Sequence, residues 1–210
     1  MGTKYPVEPF ERQAATYDRA VASAVGFPHA GYEEVLDEVV RRSDARSGFG
    51  ILDLGVGTGN LACKYVEIGC QLWGIDFSSN MLDEARRKLP SAVLVHADLL
   101  DDWPPELQRR FDRIVSTYVL HHFDLDAKLE LISGFFQSRL AGEGLVAVGD
   151  ISFPTRRARE EAREALGGAW EDDEYYWAAD ETKVTFAEAG LNTEYVQVSS
   201  YGGVYTIKQA

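Results

Sequence analysis

The chain has 210 residues, 45% of them hydrophobic and 26% charged, a balance that fits a globular unit with a sizeable core and excludes disordered, collagenous and low-complexity classes. With 34 acidic against 21 basic side chains the formal net charge is −13, a field that repels phosphate backbones and anionic membranes, so no nucleic acid and no membrane is expected as a partner. No apolar run reaches the ~18 residues a bilayer demands. With only Cys63 and Cys70 and no secretory-type start, a reduced, cytoplasmic setting is expected.

From Val7 to about Arg42, Phe10, Ala14, Tyr17 and Val21, then Tyr32, Val35, Leu36, Val39 and Val40, recur at helical spacing around a turn-like Gly26-Phe27-Pro28. This predicts a helical cap over residues 1–45. Short apolar runs follow at Gly50–Leu54, Gln71–Ile75, Ala92–His96, Arg113–Ser116 and Leu145–Gly149, alternating with longer charged amphipathic stretches. Such alternation implies a parallel sheet covered by helices on both faces, because every parallel crossover needs a covering segment. Residues 154–185 read as a helical, lid-like insertion. Asn192–Ser200 and Gly203–Lys208 are separated only by Tyr201-Gly202, too little for a crossover, and predict a terminal antiparallel hairpin. The expected architecture is thus one α/β domain over residues 1–210, with a mostly parallel seven-stranded sheet.

The densest chemical signal is Asp53-Leu54-Gly55-Val56-Gly57-Thr58-Gly59, where an apolar strand ends in alternating glycines and runs into a helix. Gly55 permits a sharp turn, Gly57 lets a ligand approach the backbone, and Gly59 lets the helix start tight against the strand. Thr58 or Asn60 is a candidate cap. The dinucleotide pattern G-x-G-x-x-G would need glycine where Asn60 stands, and Asp53 adds negative charge unsuited to a pyrophosphate. The plain alternative is an ordinary tight strand-to-helix turn.

Two further carboxylates end the next two runs. Asp76 follows Gly55 at about the ~20-residue interval at which an acidic side chain meets a ribose diol. Asp98 ends the third run and suits an amino group. Alone, each is an ordinary loop or capping residue. Three carboxylates at successive strand ends are harder to read as mere loop residues: Asp76 suits a ribose diol, Asp98 an amino group and Asp53 an ammonium or sulfonium.

From the Asp53–Gly59 loop through Asp76 and Asp98 to Phe111-Asp112-Arg113-Ile114-Val115-Ser116, the chain resembles the class I S-adenosylmethionine-dependent methyltransferases over roughly residues 50 to 150. The resemblance implies a Rossmann-like fold and S-adenosyl-L-methionine as cofactor. It would set Gly55, Gly57 and Gly59 at the methionine end, with Asp53 near the amino group. Asp76 and the adjoining Phe77 would meet the ribose side, and Asp98 with Leu99 the adenine. A narrower resemblance, to the YrrT-type methyltransferases of Gram-positive bacteria, rests on Ala15-Thr16-Tyr17-Asp18, Leu120-His121-His122-Phe123 and Asp173–Asp180. It implies a cytoplasmic enzyme acting on a small-molecule acceptor in sulfur-metabolite recycling. Independently, the helical spacing of Phe10, Ala14, Tyr17 and Val21 would place Tyr17 over the cofactor cleft, with core packing as its alternative.

The fourth run ends in Ser116-Thr117-Tyr118-Val119, without the Asn-Pro-Pro-Tyr type motif that grips planar amide or base nitrogens. Tyr118, His121 and His122 lie just beyond and are the candidate catalytic residues. Either histidine has the unperturbed pKa, ~6.5, of a base that deprotonates an acceptor, though capping or packing explains each alone. The acidic-aromatic segment Trp170–Trp177 and the pair Arg156 and Arg157 are candidates to enclose or receive the acceptor. No metal is expected: His29, His96, His121, His122, Cys63 and Cys70 make no ligand spacing, and adjacent histidines on a regular element point apart. Competing readings are a nicotinamide-dependent oxidoreductase, disfavoured by Asn60, an RNA or protein methyltransferase of the same fold, and a non-catalytic S-adenosylmethionine-binding protein.

Overall fold

The computed structural model describes residues 8–210, so the first seven positions of the expected cap lie outside the described residues. The cap begins with helices α1 (Glu8–Ala22) and α2 (Tyr32–Ser43). Their apolar stripes bury Ala14 and Val21 in α1 and Tyr32, Val35, Leu36 and Val39 in α2, while acidic residues fill the first turns and arginines the last, as the helix dipole favours. Val35 rests on backbone: a Cβ at Gly149 or Gly202 would come within 2.7 or 2.6 Å of its methyls, so these two glycines let α2 sit directly on the sheet.

The strands are β1 (Gly50–Leu54), β2 (Gln71–Asp76), β3 (Val93–His96), β4 (Phe111–Thr117), β5 (Leu140–Phe153), β6 (Trp177–Ala178), β7 (Leu191–Gln197) and β8 (Gly202–Gln209). Between them run α3 (Asn60–Ile68), α4 (Ser79–Lys88), α5 (Leu125–Ser138), α6 (Arg156–Leu166) and α7 (Ala179–Glu188). The order across the sheet is β3-β2-β1-β4-β5-β8-β7, with β1 to β5 parallel and β8 antiparallel to both of its neighbours, β5 and β7. The expected α/β class, mostly parallel sheet and terminal hairpin are all present.

Three details differ from expectation. An eighth, two-residue strand, β6, pairs with the end of β5 through Ser152 and Phe153. Strand β5 is longer than the Leu145–Gly149 run, because Leu140 pairs with Phe111 across a bulge. The hairpin turn lies before Gly202, since Gly202 and Gly203 already pair with Ile151 and Asp150. Periodicity reads burial, and these pairings are made by backbone at positions without an apolar signal.

Each face of the sheet carries its own core. One contains Leu36, Val39, Leu61 and Tyr65 of α2 and α3, the other Ile132, Phe135 and Phe186 of α5 and α7. The strand order reverses between β1 and β4, which opens a crevice at their carboxyl ends, where open α/β sheets bind ligands.

Candidate functional site

Three loops meet in that crevice. After β1 the glycine turn brings the Gly57 N–H to Asp76 Oδ2 at 2.8 Å, and the Ser78 N–H donates to Asp76 Oδ1 at 2.8 Å. Gly57 has φ +53°, and a Cβ there would meet nothing closer than the Gly55 carbonyl oxygen at 3.9 Å, so its bare backbone faces open space. Gly59 behaves otherwise: it caps α3 in the left-handed region, and its Cβ direction is filled by Leu89 Cδ1 at 2.8 Å. It packs against the end of α4 instead of the strand, and it does not line the crevice. Neither Thr58 nor Asn60 caps α3; the Thr58 hydroxyl donates to Asp18 Oδ1 at 2.6 Å.

The crevice is open to solvent on one side. Its floor is Gly55–Thr58, with Asp76, Phe77 and Met81 on one side, Ala97 and Leu99 beyond them, and Thr117–Val119 with His122 on the other. Phe10, Tyr17 and Tyr32 of the cap close it. Helix α1 is tied down at two points. Glu11 Oε1 accepts from the Ser79 N–H at 2.8 Å and the Ser78 hydroxyl at 3.0 Å, at the N-terminus of α4, and Asp18 Oδ2 meets Lys88 Nζ at 2.5 Å. Burial pushes Asp18 up, but the bonds from Lys88 and Thr58 outweigh it and hold the carboxyl below its ordinary range.

The expected cofactor residues divide sharply. Gly55, Gly57, Asp76, Phe77, Leu99 and Tyr17 line the crevice, whereas Asp53, Gly59 and Asp98 do not. Burial raises Asp76 to about 6, only partly offset by its bonds from Ser78 and Gly57. Asp53 is 1% exposed, and burial together with the Asp76 charge raises its pKa well above the carboxylate range. Its Oδ2 has no hydrogen-bond partner among the described residues. Burial thus disfavours the negative charge expected from Asp53, which lies outside the crevice lining. Asp98 turns back on its own loop, accepting the Leu100 N–H at 2.9 Å, while its neighbours Ala97 and Leu99 form the wall.

Beyond β4 the chain turns through Tyr118 at φ +55° into a 3-10 turn, Leu120–His122. Tyr118 stacks on Tyr32 with centroids 5.2 Å apart, and burial raises its hydroxyl pKa, so it is a wall and not a base. His121 is buried and does not line the crevice. Its Nδ1 lies 2.6 Å from Asp150 Oδ1 and its backbone N–H donates to Asp150 Oδ2 at 2.9 Å. Trp177 Nε1 completes the cage around that carboxylate at 3.0 Å. Burial opposes charge on both partners, but each stabilises the other: His121 is raised and Asp150 lowered. His122 does line the crevice; burial and the neighbouring His121 charge lower it to about 3. A neutral imidazole with so low a pKa hydrogen-bonds an acceptor but is a weak proton acceptor at neutral pH.

The assumption that adjacent histidines point apart fails here. In the 3-10 turn the two rings stand 4.2 Å apart, and Glu174 Oε1 lies 3.6 Å from both His121 Nε2 and His122 Nδ1. Arg156 and Arg157 stay outside the crevice, paired with Glu181 and Glu161. Glu11, Tyr32, Met81 and Asp150 were not singled out in sequence. A signal existed only for Asp150, a lone carboxylate inside an otherwise apolar run; the others are ordinary helix residues until the fold turns them inward.

The matching family is described as a methyltransferase domain, over residues 51–138. An uncharacterized methyltransferase of Oceanobacillus iheyensis is 30% identical over 221 residues, covering 100% of this chain and 99% of the relative. Uncharacterized methyltransferase YrrT of Halobacillus halophilus is 28% identical, covering 100% of this chain and 99% of its own. Among solved structures, magnesium protoporphyrin IX methyltransferase from Synechocystis PCC 6803 with bound S-adenosylhomocysteine superposes with a TM-score of 0.73 at 17% identity, covering 97% of this chain and 98% of that one, a likeness of fold.

Proposed function

The chain belongs to the S-adenosylmethionine-dependent methyltransferases, and from that premise we propose that its crevice delivers the methyl group in line to a small organic acceptor. The residues present fit the cofactor. Asp76, buried and with one N–H on each oxygen, keeps acceptor capacity for the two ribose hydroxyls. Phe77, Met81, Ala97 and Leu99 give a flat apolar slot for adenine. The N-terminus of α3 suits the methionine carboxylate, and the faces of Tyr17 and Tyr32 suit a cation.

Bound S-adenosylmethionine supplies a methyl carbon on cationic sulfur, open to displacement from the side opposite the sulfur. Tyr118 and Val119 hold the acceptor's approach path, and His122 offers a neutral imidazole at its end. The cap covers the crevice, whereas Tyr175 and Tyr176 of the 154–185 segment stand behind His121, outside the crevice lining.

One observation carries the small-molecule reading. Phe10 of α1 stands edge-on to Phe77 at 5.2 Å and to His122 at 5.9 Å, so the roof closes directly over the acceptor end, leaving room for a compact molecule and not for a polymer strand. The net charge of −13 argues in the same direction against nucleic acid. Incubation with methyl-labelled cofactor and cell extract is expected to put label in low-mass metabolites. Label found only in RNA or protein would end this proposal while leaving the family intact. No helix among the described residues is long and apolar enough to cross a membrane, and the two unbridged thiols fit the proposed cytoplasmic setting.

A further inference from the structure

We propose that His121, His122 and Glu174 form a binding site for one divalent transition-metal ion of the zinc class, in the wall of the cofactor crevice. One ligand atom from each residue lies within 4.8 Å of the other two. Imidazole nitrogens and carboxylate oxygens bind zinc at ~2.0–2.2 Å, so neighbouring ligands of a tetrahedral ion stand ~3.4 Å apart. Glu174 Oε1 is already 3.6 Å from His121 Nε2 and 3.6 Å from His122 Nδ1. Two imidazoles and one carboxylate select zinc, cobalt, iron or manganese over calcium or magnesium, and three protein ligands leave a position for another molecule.

The surroundings are built as the second layer of a metal site is built. Asp150 engages His121 Nδ1 at 2.6 Å, which leaves Nε2 as the ligand atom and fixes the ring plane. The segment carrying Glu174 is pinned to the same turn: the Tyr175 N–H donates to the His121 carbonyl at 2.7 Å, and Lys128 Nζ donates to the Tyr175 carbonyl at 2.5 Å. Asp150 and Glu174 bring two negative charges to a dication, against one positive charge from Lys128. Access exists from two sides, since His122 lines the cofactor crevice and Glu174 lines a second, polar pocket that opens to solvent. The role of the ion rests on the methyl-transfer reading above: beside the acceptor end, where His122 lines the crevice, it would lower the pKa of a bound hydroxyl or thiol.

The test is a titration of the chelator-treated full chain with Co²⁺, followed by visible d–d absorption and displacement by Zn²⁺, with S-adenosylhomocysteine binding measured on the same samples. One equivalent of cobalt is expected per chain. Glu174→Gln and His122→Ala should each weaken it at least 100-fold, and Asp150→Asn, acting through His121, by roughly 10- to 100-fold. Wild-type protein that binds S-adenosylhomocysteine but gives no d–d bands, or variants that bind cobalt as tightly as wild type, would overturn the metal site alone. Glu174→Gln protein that keeps S-adenosylhomocysteine affinity and loses cobalt would establish it on a folded chain. Wild type that binds neither would overturn both this site and the reading of the crevice.

Discussion

Asp76 accepts the Gly57 N–H at 2.8 Å, so the carboxylate that ends β2 and the most open glycine of the β1 turn form one unit. The same side chain fixes the loop and presents its remaining lone pairs to the crevice.

If Asp76 holds the ribose hydroxyls as proposed, this unit makes cofactor binding pH-dependent. Burial raises Asp76 to about 6, and only its ionised form accepts from both ribose hydroxyls. Affinity for S-adenosylhomocysteine is therefore expected to be constant above pH 7 and to fall about tenfold per pH unit below 6. Stability runs the other way. A carboxylate whose folded pKa is raised contributes stability at low pH that is lost as pH rises through about 6, and the cofactor restores it. Titration calorimetry from pH 5 to 8 checks the first expectation; a profile for Asp76→Asn identical to wild type would contradict it.

The roof is held by charge at a helix end. Glu11→Gln leaves the size of the side chain but removes the negative charge from the N-terminus of α4, a change worth about 0.3–1 kcal/mol. The expected result is faster release of S-adenosylhomocysteine with little change in melting temperature, measured by stopped-flow fluorescence. An unchanged release rate would show that α1 does not gate the crevice.

Two glycines of the turn should fail differently. A Cβ at Gly55, where φ is +65°, would run into the Val119 side chain, so Gly55→Ala is expected to cost about 1–3 kcal/mol of stability. Gly57→Ala meets no such wall, and its methyl would instead stand in the crevice. It should lose cofactor affinity with about 1 kcal/mol of stability change, the cost of a left-handed alanine. Denaturant melts beside binding isotherms separate the two.

Much of the frame was legible because it rests on local pattern. Gly50–Leu54 is the strand that its apolar run predicts, and Asp76 stands at the ribose-binding interval and lines the crevice. What stayed hidden depends on partners distant in sequence. Asp53 reads as a charge, yet its residue type carries no trace of the burial that disfavours that charge. Gly59 sits where Leu89, at the C-terminal cap of α4, fills the Cβ direction, a contact that no spacing rule contains. His121, His122 and Glu174 meet only because Lys128 and Asp150 anchor two separate segments. Pattern reading finds elements and strand ends, while side-chain clusters across loops follow from packing.

The most direct measurement is a titration of wild type and Asp76→Ala with S-adenosylhomocysteine. One molecule per chain is expected for wild type, and loss of the charged hydrogen bonds, ~1.5–3 kcal/mol each, should weaken the variant by at least about tenfold. Equal affinity in the two proteins would mean that the methyl donor binds somewhere other than the crevice between β1 and β4.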